Sequence, residues 1–141
     1  MIVDSSAVLA VFFAEPEAAE IAALLAASGP KRISAVNWLE CAIKLDNAAP
    51  AAALELDAFL EETGIVVAPA TPSQARAVRL AYRRFGRGRH AARLNLGDCA
   101  LARETGEPLL CKGNDFAATD LALVRLSGHA ALPFSCRDSG A

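Results

Sequence analysis

Short apolar runs alternate along the chain with longer segments in which apolar residues recur every three or four positions. The short runs predict buried strands at 1–3, 32–34, 65–67, 108–111 and 121–124. The longer segments predict helices at 7–11, 15–28, 36–48, 51–62, 71–86 and 95–105. Short strands that alternate with helices are typical of an α/β domain with a mainly parallel sheet that is covered on both faces.

Composition places the chain among globular proteins. Of its 141 residues, 54% are hydrophobic and 21% are charged, which excludes an intrinsically disordered chain. The length predicts a single domain over 1–141, with a polar tail from about residue 135. The apolar stretch at 7–14 spans eight residues, whereas a helix that crosses a membrane needs about 20. No basic segment precedes that stretch, so we expect no secretory signal, no membrane association and a cytoplasmic location.

Charge is divided unevenly between the two parts of the chain. Residues 1–62 contain ten acidic and three basic side chains, a net charge of −7. Residues 63–141 contain six acidic and eleven basic side chains, a net charge of +5. The second part therefore offers the positive charge that a polyanion would need.

Arginines are concentrated between residues 76 and 93, in a window without acidic residues. Arginine forks match phosphate geometry, and the two glycines at 86 and 88 would allow a close approach of the backbone. One interpretation is a contact with a nucleic-acid backbone. Two others are a solvated helix end, where arginines complement the helix dipole, and pairing with an acidic protein partner. The residues predicted to bind RNA are Arg83, Arg84, Arg87, Arg89 and Arg93.

Four carboxylates stand where an α/β sheet places its ligands. Asp4 ends the first predicted strand and Asp115 follows the strand at 108–111, and ligands of such sheets bind at the carboxyl ends of strands. Glu40 and Asp98 interrupt the apolar stripes of two predicted helices, so we expect both side chains to point inward. An ionised acid that faces a core is costly unless it is paired or bound to a metal.

Each acid also has a purely structural interpretation, which the sequence leaves open. Asp4 could cap the first helix, and Glu40 could form an ordinary helical ion pair with Lys44. The segments 37–40 and 95–98 both fit a capping box, and Asp115 could belong to a turn.

If the four carboxylates converge, their mutual repulsion requires protons or a cation. Ligands that are all oxygen favour Mg²⁺ or Mn²⁺, and Mg²⁺ held by few carboxylates keeps positions for water and phosphate oxygens. The pattern therefore predicts metal-dependent hydrolysis of a phosphodiester, with the arginines holding the polyanion nearby.

The same residues resemble a known family, the PIN-domain ribonucleases, and within it the VapC-type toxins of bacterial toxin–antitoxin pairs. The matching segments extend from Met1 to about Leu126; they are 1–7, 34–40, 82–88, 94–99 and 109–120. One departure is Gly113, which stands where many relatives carry a further acid, so the fourth acid rests on Asp115. Asp120 is either a helper of the acidic site or a helix or strand cap, and the cap is the favoured interpretation. His90 is either a phosphate contact in the basic loop or an exposed bystander, and the bystander is favoured.

The resemblance implies a PIN-like α/β/α sandwich and endonucleolytic cleavage of RNA that depends on Mg²⁺ or Mn²⁺. The implied catalytic residues are Asp4, Glu40, Asp98 and Asp115, with Asp4 and Asp98 as direct metal ligands. Ser5 or Ser6 would help to hold a water or phosphate, and Asn95 would support the site. A homodimer and neutralisation by a VapB-type antitoxin are implied as well.

Two other function classes are weighed against the toxin. A PIN-like module that only binds nucleic acid or a partner would be expected to have lost one of the four acids. A receiver-type phosphoacceptor domain would use an acidic pocket and a lysine such as Lys112, but the predicted strand at 65–67 leads to Ala68 and Pro69 rather than to an aspartate.

Overall fold

The computed structural model describes residues 1–85, 100–113, 116, 119 and 121–127, without the side chains of 81, 82, 84, 85, 100 and 103. Four parallel strands form one sheet in the order β3-β2-β1-β4. Their bounds are β1 Ile2–Val3, β2 Lys31–Ser34, β3 Ile65–Ala68 and β4 Leu109–Leu110. The parallel sheet and its strand positions confirm the predicted α/β class.

The predicted strand at 121–124 was wrong for the part of the chain that is described. Only Leu123 pairs with the sheet, through an isolated parallel bridge to Leu109. The amide of Leu109 donates to the Ala122 carbonyl, and the amide of Val124 donates to the Leu109 carbonyl. Pairing is confined to this one position of β4, so no ladder develops.

Seven helices are described, and most begin where the sequence predicts a helix start. Their bounds are α1 Ser5–Phe12, α2 Ala18–Ala26, α3 Ala35–Ala48, α4 Pro50–Ala53, α5 Leu56–Thr63, α6 Pro72–Phe85 and α7 Ala100–Thr105. The single helix predicted at 51–62 is divided into α4 and α5 by a turn at Leu54 and Glu55. The start predicted at 95 for the last helix lies outside the described residues.

Alternate residues of the strands enter two separate cores, which makes the fold a three-layer sandwich. Val3 and Leu110 belong to a core that α1, α2, α3 and α5 complete. Ile2 and Leu109 belong to a second core on the other face, which Leu101 of α7 helps to close. The predicted α/β/α layering is therefore confirmed. No helix in the described ranges is both long enough and apolar enough to cross a membrane.

Because all four strands are parallel, they all begin at one edge of the sheet, the amino-terminal edge, and end at the other, the carboxyl-terminal edge. The two edges carry different polar groups. At the amino-terminal edge, Glu107 accepts from the Met1 ammonium at 2.7 Å and forms an ion pair with Arg32. Lys31 there donates to the carbonyls of Ala27 and Gly29. At the carboxyl-terminal edge β1 leads directly into α1, and β2 leads directly into α3. The candidate site lies at this second edge.

Candidate metal centre

Asp4 lies between the last residue of β1 and the first residue of α1. Its side chain is only 2% exposed. One carboxylate oxygen, Oδ2, accepts from the amide of Ser6 at 2.8 Å and so caps α1. The other, Oδ1, is buried and accepts no hydrogen bond from the residues that the structure describes. The predicted cap is confirmed, but capping accounts for only one of the two oxygens.

Glu40 lies in the second turn of α3 and differs from Asp4 in having partners for both oxygens. Oε2 accepts from the Ser5 hydroxyl at 2.8 Å. Oε1 lies 2.7 Å from the ammonium of Lys44, one helical turn further on. The side chain is about one-quarter exposed, so Glu40 stands at the boundary between core and solvent. The ion pair with Lys44, left open as an alternative by the sequence, is present.

The inward direction predicted for Glu40 rested on a wrong assignment of the buried face of α3. The apolar residues used for that assignment, Val36 and Ile43, are about half exposed. The buried face is formed instead by Asn37, Cys41 and Leu45, at intervals of four residues. Glu40 therefore lies beside the buried stripe rather than within it, and this position lets it meet both Ser5 and solvent.

The capping box predicted at 37–40 is also wrong. The N-cap of α3 is Ser34, whose hydroxyl accepts from the amide of Asn37 at 3.1 Å. The Glu40 side chain is thus not used to cap α3. Among the predicted structural roles for Glu40, only the helical ion pair is present.

Two serines connect the strands and helices that meet at this edge. Ser5 joins α1 to Glu40 of α3, and its carbonyl accepts from the thiol of Cys41. The Ser6 hydroxyl accepts from the amide of Lys112, the second residue after β4, at 3.0 Å. The three-residue segment 4–6 therefore holds β1, α3 and β4 at one edge. The contact between Ser5 and Glu40 was missed from sequence because 35 residues separate the two.

The donor set at this edge fits a hard divalent cation. A buried carboxylate oxygen without a partner is costly, and a metal ion is one of the few groups that can satisfy it. Asp4 Oδ1 is such an oxygen. The second carboxylate, Glu40, accepts a hydrogen bond from Ser5, the residue that follows Asp4. Both groups offer oxygen ligands, as Mg²⁺ and Mn²⁺ prefer. Within the described ranges, no three metal-ligating side chains gather into one group.

The remaining acids of the predicted site lie outside the described residues. These are Asp98 and Asp115, together with the supporting Asn95 and the neighbouring Asp120 and His90. Residues that flank Asp98 and Asp115 in the sequence are described. Cys111 and Lys112 follow β4 at the carboxyl-terminal edge, and Ala100 begins α7.

Of the arginines predicted to bind RNA, Arg83 is described as an exposed residue on α6. The side chain of Arg84 and the whole of Arg87, Arg89 and Arg93 lie outside the described residues. Arg76 and Arg79, which the prediction did not include, are exposed at helical intervals from Arg83. Because residues at i, i+3 and i+7 share one face of a helix, the three form an arginine row.

Hydrogen bonds fix the start of α6 and thereby orient the helix that carries the arginine row. Thr71 and Gln74 form a reciprocal capping box, in which each side chain accepts from the amide of the other residue. The Gln74 amide group also donates to Glu104 of α7 at 2.9 Å. The helix start predicted at 71–73 is confirmed.

Lys112 forms a second lysine–glutamate pair at the same edge of the sheet. Its ammonium lies 2.5 Å from Glu15 and 3.9 Å from Glu17, in the turn between α1 and α2. The hydrogen bond to Glu15 raises the pKa of Lys112 above its usual value of 10.5. This lysine therefore stays charged at neutral pH and ties the end of β4 to the α1–α2 turn.

Comparisons with known proteins agree with the fold. The family model described as the PIN domain matches residues 1–121. Ribonuclease VapC28 of Mycobacterium tuberculosis is 49% identical over 124 residues, which cover 84% of this chain and 93% of that protein. Ribonuclease VapC of Mycolicibacterium smegmatis is 40% identical over 128 residues, covering 88% of this chain and 99% of that protein.

Solved structures share the fold at lower sequence identity. VapC20 of Mycobacterium tuberculosis, described as a sarcin–ricin loop cleaving toxin, superposes with a TM-score of 0.72 at 21% identity. That match covers 89% of this chain and 98% of the other. A toxin–antitoxin complex from Klebsiella pneumoniae gives a TM-score of 0.63 at 17% identity, with 87% and 95% covered. Taken with the family model and the curated relatives, these matches show that the chain belongs to the PIN-domain family, among the VapC ribonucleases.

Proposed function

We propose that this protein is a metal-dependent RNA endonuclease that acts as the toxin of a toxin–antitoxin pair. The observation that carries the proposal is the buried, unpartnered Asp4 Oδ1 at the carboxyl end of β1, beside the Ser5–Glu40 contact. The curated relatives named VapC ribonucleases support RNA as the substrate class. The proposal covers one PIN domain over 1–141, with a polar tail in the sequence from about 135.

The metal would be Mg²⁺ or Mn²⁺, with Asp4 and Asp98 as direct ligands and Glu40 and Asp115 completing the set. When bound, the divalent cation supplies positive charge that polarises a water molecule and offsets the charge of the phosphodiester. Asp4 contributes Oδ1, because Oδ2 is already used by the Ser6 amide. Glu40 is oriented by Ser5, which holds Oε2 in place and leaves Oε1 as the oxygen that can change its partner.

The arginine row would hold the RNA backbone. Arg76, Arg79 and Arg83 are exposed on one face of α6, and guanidinium groups bind phosphates in a forked geometry. We include Arg84, Arg87, Arg89 and Arg93 in the same RNA-binding surface, as the sequence predicts. Such contacts fix the position of the substrate but carry no sequence information, so the choice of RNA rests on other parts of the surface.

The partners of the protein follow from the same assignment. We propose a VapB-type antitoxin that covers the active site, a homodimer as the functional unit and a cytoplasmic location. A toxin–antitoxin complex among the structural neighbours is consistent with the first of these. Co-expression with the reading frame next to the gene, followed by size-exclusion chromatography with light scattering, tests both partners at once.

The activity is tested with purified, partner-free protein and total bacterial RNA in Mg²⁺, Mn²⁺ or EDTA. We expect discrete fragments that require metal and are lost in Asp98→Asn and Asp4→Asn, both of which remove a carboxylate charge with little change in volume. Folding of each variant is checked by circular dichroism. The proposal is wrong if folded, partner-free protein cleaves no RNA with either metal, or if both variants retain full metal-dependent cleavage.

A further inference from the structure

The ammonium group of Lys44 supplies a positive charge beside Glu40, where the proposed metal would also supply one. Its ammonium lies 2.7 Å from Glu40 Oε1, while Ser5 occupies Oε2 at 2.8 Å. Both oxygens of this proposed ligand therefore have partners. Asp4 offers the opposite condition, because its Oδ1 is buried and has no hydrogen-bond partner among the described residues.

From this contrast we propose that Lys44 is a cationic latch on Glu40 that competes with a divalent metal for Oε1. The inference rests on the proposed function, since it assumes that Glu40 is a metal ligand. The latch offsets the negative charge of Glu40 and so lowers the affinity of the site for divalent cations. Lys44 is thus a positioning residue that acts through Glu40.

Geometry makes the two cations competitors for Oε1. A Mg²⁺ ion lies about 2.0–2.1 Å from a ligand oxygen. With the ammonium at 2.7 Å from the same oxygen, the two positive centres would be less than about 5 Å apart and would repel. Metal binding through Oε1 is therefore weakened as long as the lysine stays at Glu40.

The exposure of the two side chains makes the displacement easy. The Lys44 side chain is 49% exposed, so its ammonium is already partly solvated, whereas the Glu40 side chain is 25% exposed. The pair spans one turn of α3, with glutamate preceding lysine, which is the favoured order and keeps the lysine close by. Ion pairs at such exposed positions are weak, as a reversible latch requires. Ser5 holds Oε2 throughout, so Glu40 keeps its orientation when Lys44 departs.

Binding of Mn²⁺ to the metal-free protein, measured by titration calorimetry, tests the latch without any activity measurement. We expect Lys44→Met to tighten Mn²⁺ binding roughly three- to fivefold, because the competing charge is removed. Methionine is a good helix former and matches the length of the lysine stem, so α3 should be retained. Lys44→Arg keeps the competing charge, and its affinity should stay within about twofold of the parent.

Lys112→Met is the matched control. It removes the same charge from another lysine–glutamate pair at the same edge of the sheet, but that pair is with Glu15. We expect its Mn²⁺ affinity to stay within about twofold of the parent. In a Glu40→Gln background, Lys44→Met should give no further tightening, because the carboxylate that the lysine neutralises is gone.

The outcomes separate the latch from the metal site itself. If the parent binds Mn²⁺ and Asp4→Asn abolishes this binding, the metal site holds. The latch is then overturned by an unchanged or weaker affinity of Lys44→Met, or by equal tightening in Lys112→Met, which would indicate a general charge effect. If the parent does not bind Mn²⁺ at all, both the latch and the metal-dependent function are overturned.

Discussion

The two edges of the sheet differ in whether their buried and half-buried charged groups have partners. At the amino-terminal edge, Glu107 is shared by the Met1 ammonium and Arg32, and Lys31 is satisfied by two carbonyls. At the carboxyl-terminal edge, Asp4 is more deeply buried than Glu107, and one of its oxygens has no hydrogen-bond partner in the described part of the chain.

This difference separates stability from function within one small sheet. Charges that are paired on folding contribute to stability, whereas a buried unsatisfied oxygen lowers it. Such an oxygen is retained where it serves another purpose, which is the general trade-off between stability and activity at functional sites. The amino-terminal edge therefore stabilises the fold, whereas the carboxyl-terminal edge offers an oxygen ligand to a cation.

The largest expected effect comes from Asp4→Asn, which removes the charge but leaves an oxygen to cap α1. We expect RNA cleavage to fall by at least about 100-fold, because a proposed ligand of the metal that offsets the charge of the phosphodiester is lost. In the absence of metal, the free energy of unfolding should rise by about 1 kcal/mol, since an uncompensated buried charge disappears. Cleavage rates and urea denaturation in EDTA measure both effects. A loss of stability together with a loss of cleavage would contradict the comparison of the two edges.

A smaller effect on function is expected from Ser5→Ala, which removes the hydrogen bond to Glu40 Oε2. Partners that orient a metal ligand typically change affinity or activity 10- to 100-fold, and we expect about tenfold weaker Mn²⁺ binding. Ser6→Ala provides a comparison at the neighbouring hydroxyl, which accepts from Lys112 rather than donating to a proposed ligand. Equal losses of Mn²⁺ affinity in the two variants would argue against a specific role for Ser5.

At the opposite edge, Glu107→Ala should change stability and leave metal binding alone. The carboxylate is about one-quarter exposed and joins two cationic groups, so we expect a loss of about 1 kcal/mol, or roughly 3 °C in Tm. Thermal unfolding measures this loss. The chain must carry no amino-terminal tag, because a tag would change the Met1 amino group that pairs with Glu107. Weaker Mn²⁺ binding in the folded variant would show that the two edges are coupled rather than separate.

The smallest effect is the pH dependence of the Lys112–Glu15 pair. The raised pKa of Lys112 means that its contribution is fully present below pH 10.5, the value of the unfolded chain, and is lost as pH rises through the raised value. Because the side chain is substantially solvated, we expect only a few tenths of a kcal/mol between the parent and Lys112→Met. Urea denaturation at pH 8 and then at increasing pH above 10.5 should show this difference and its progressive loss. A difference that persists at the higher pH would assign it to packing of the lysine stem.

Much of the architecture could be predicted from local pattern alone. The strands at 32–34 and 65–67, the helix at 36–48 and the start of α6 match the structure within a residue or two. The cap at Asp4 and the ion pair of Glu40 with Lys44 were foreseen as well. Each of these interactions joins residues no more than four positions apart, so the sequence contains both partners and their spacing.

Other features were decided only by tertiary structure. The buried face of α3 is formed by Asn37, Cys41 and Leu45, although the adjacent stripe carries Val36, Leu39 and Ile43. Hydrophobicity alone therefore selected the wrong face, because burial depends on what packs against the helix. The predicted helix at 51–62 was divided for a similar reason, since Leu56 and Leu60 of α5 join the main core while Leu54 is turned out to solvent.

The sequence by itself determined the α/β class, the order of the elements and the acidic residues that follow β1 and β2. Hydrophobic period, caps and turns act over a few residues, and they are readable without a partner. Only the folded chain decided that Ser5 orients Glu40, that Ser6 is tied to Lys112, and that Asp4 Oδ1 is left without a partner. These contacts join positions 35 to 106 residues apart, or depend on burial, and both are set by how the parallel strands bring their carboxyl ends together.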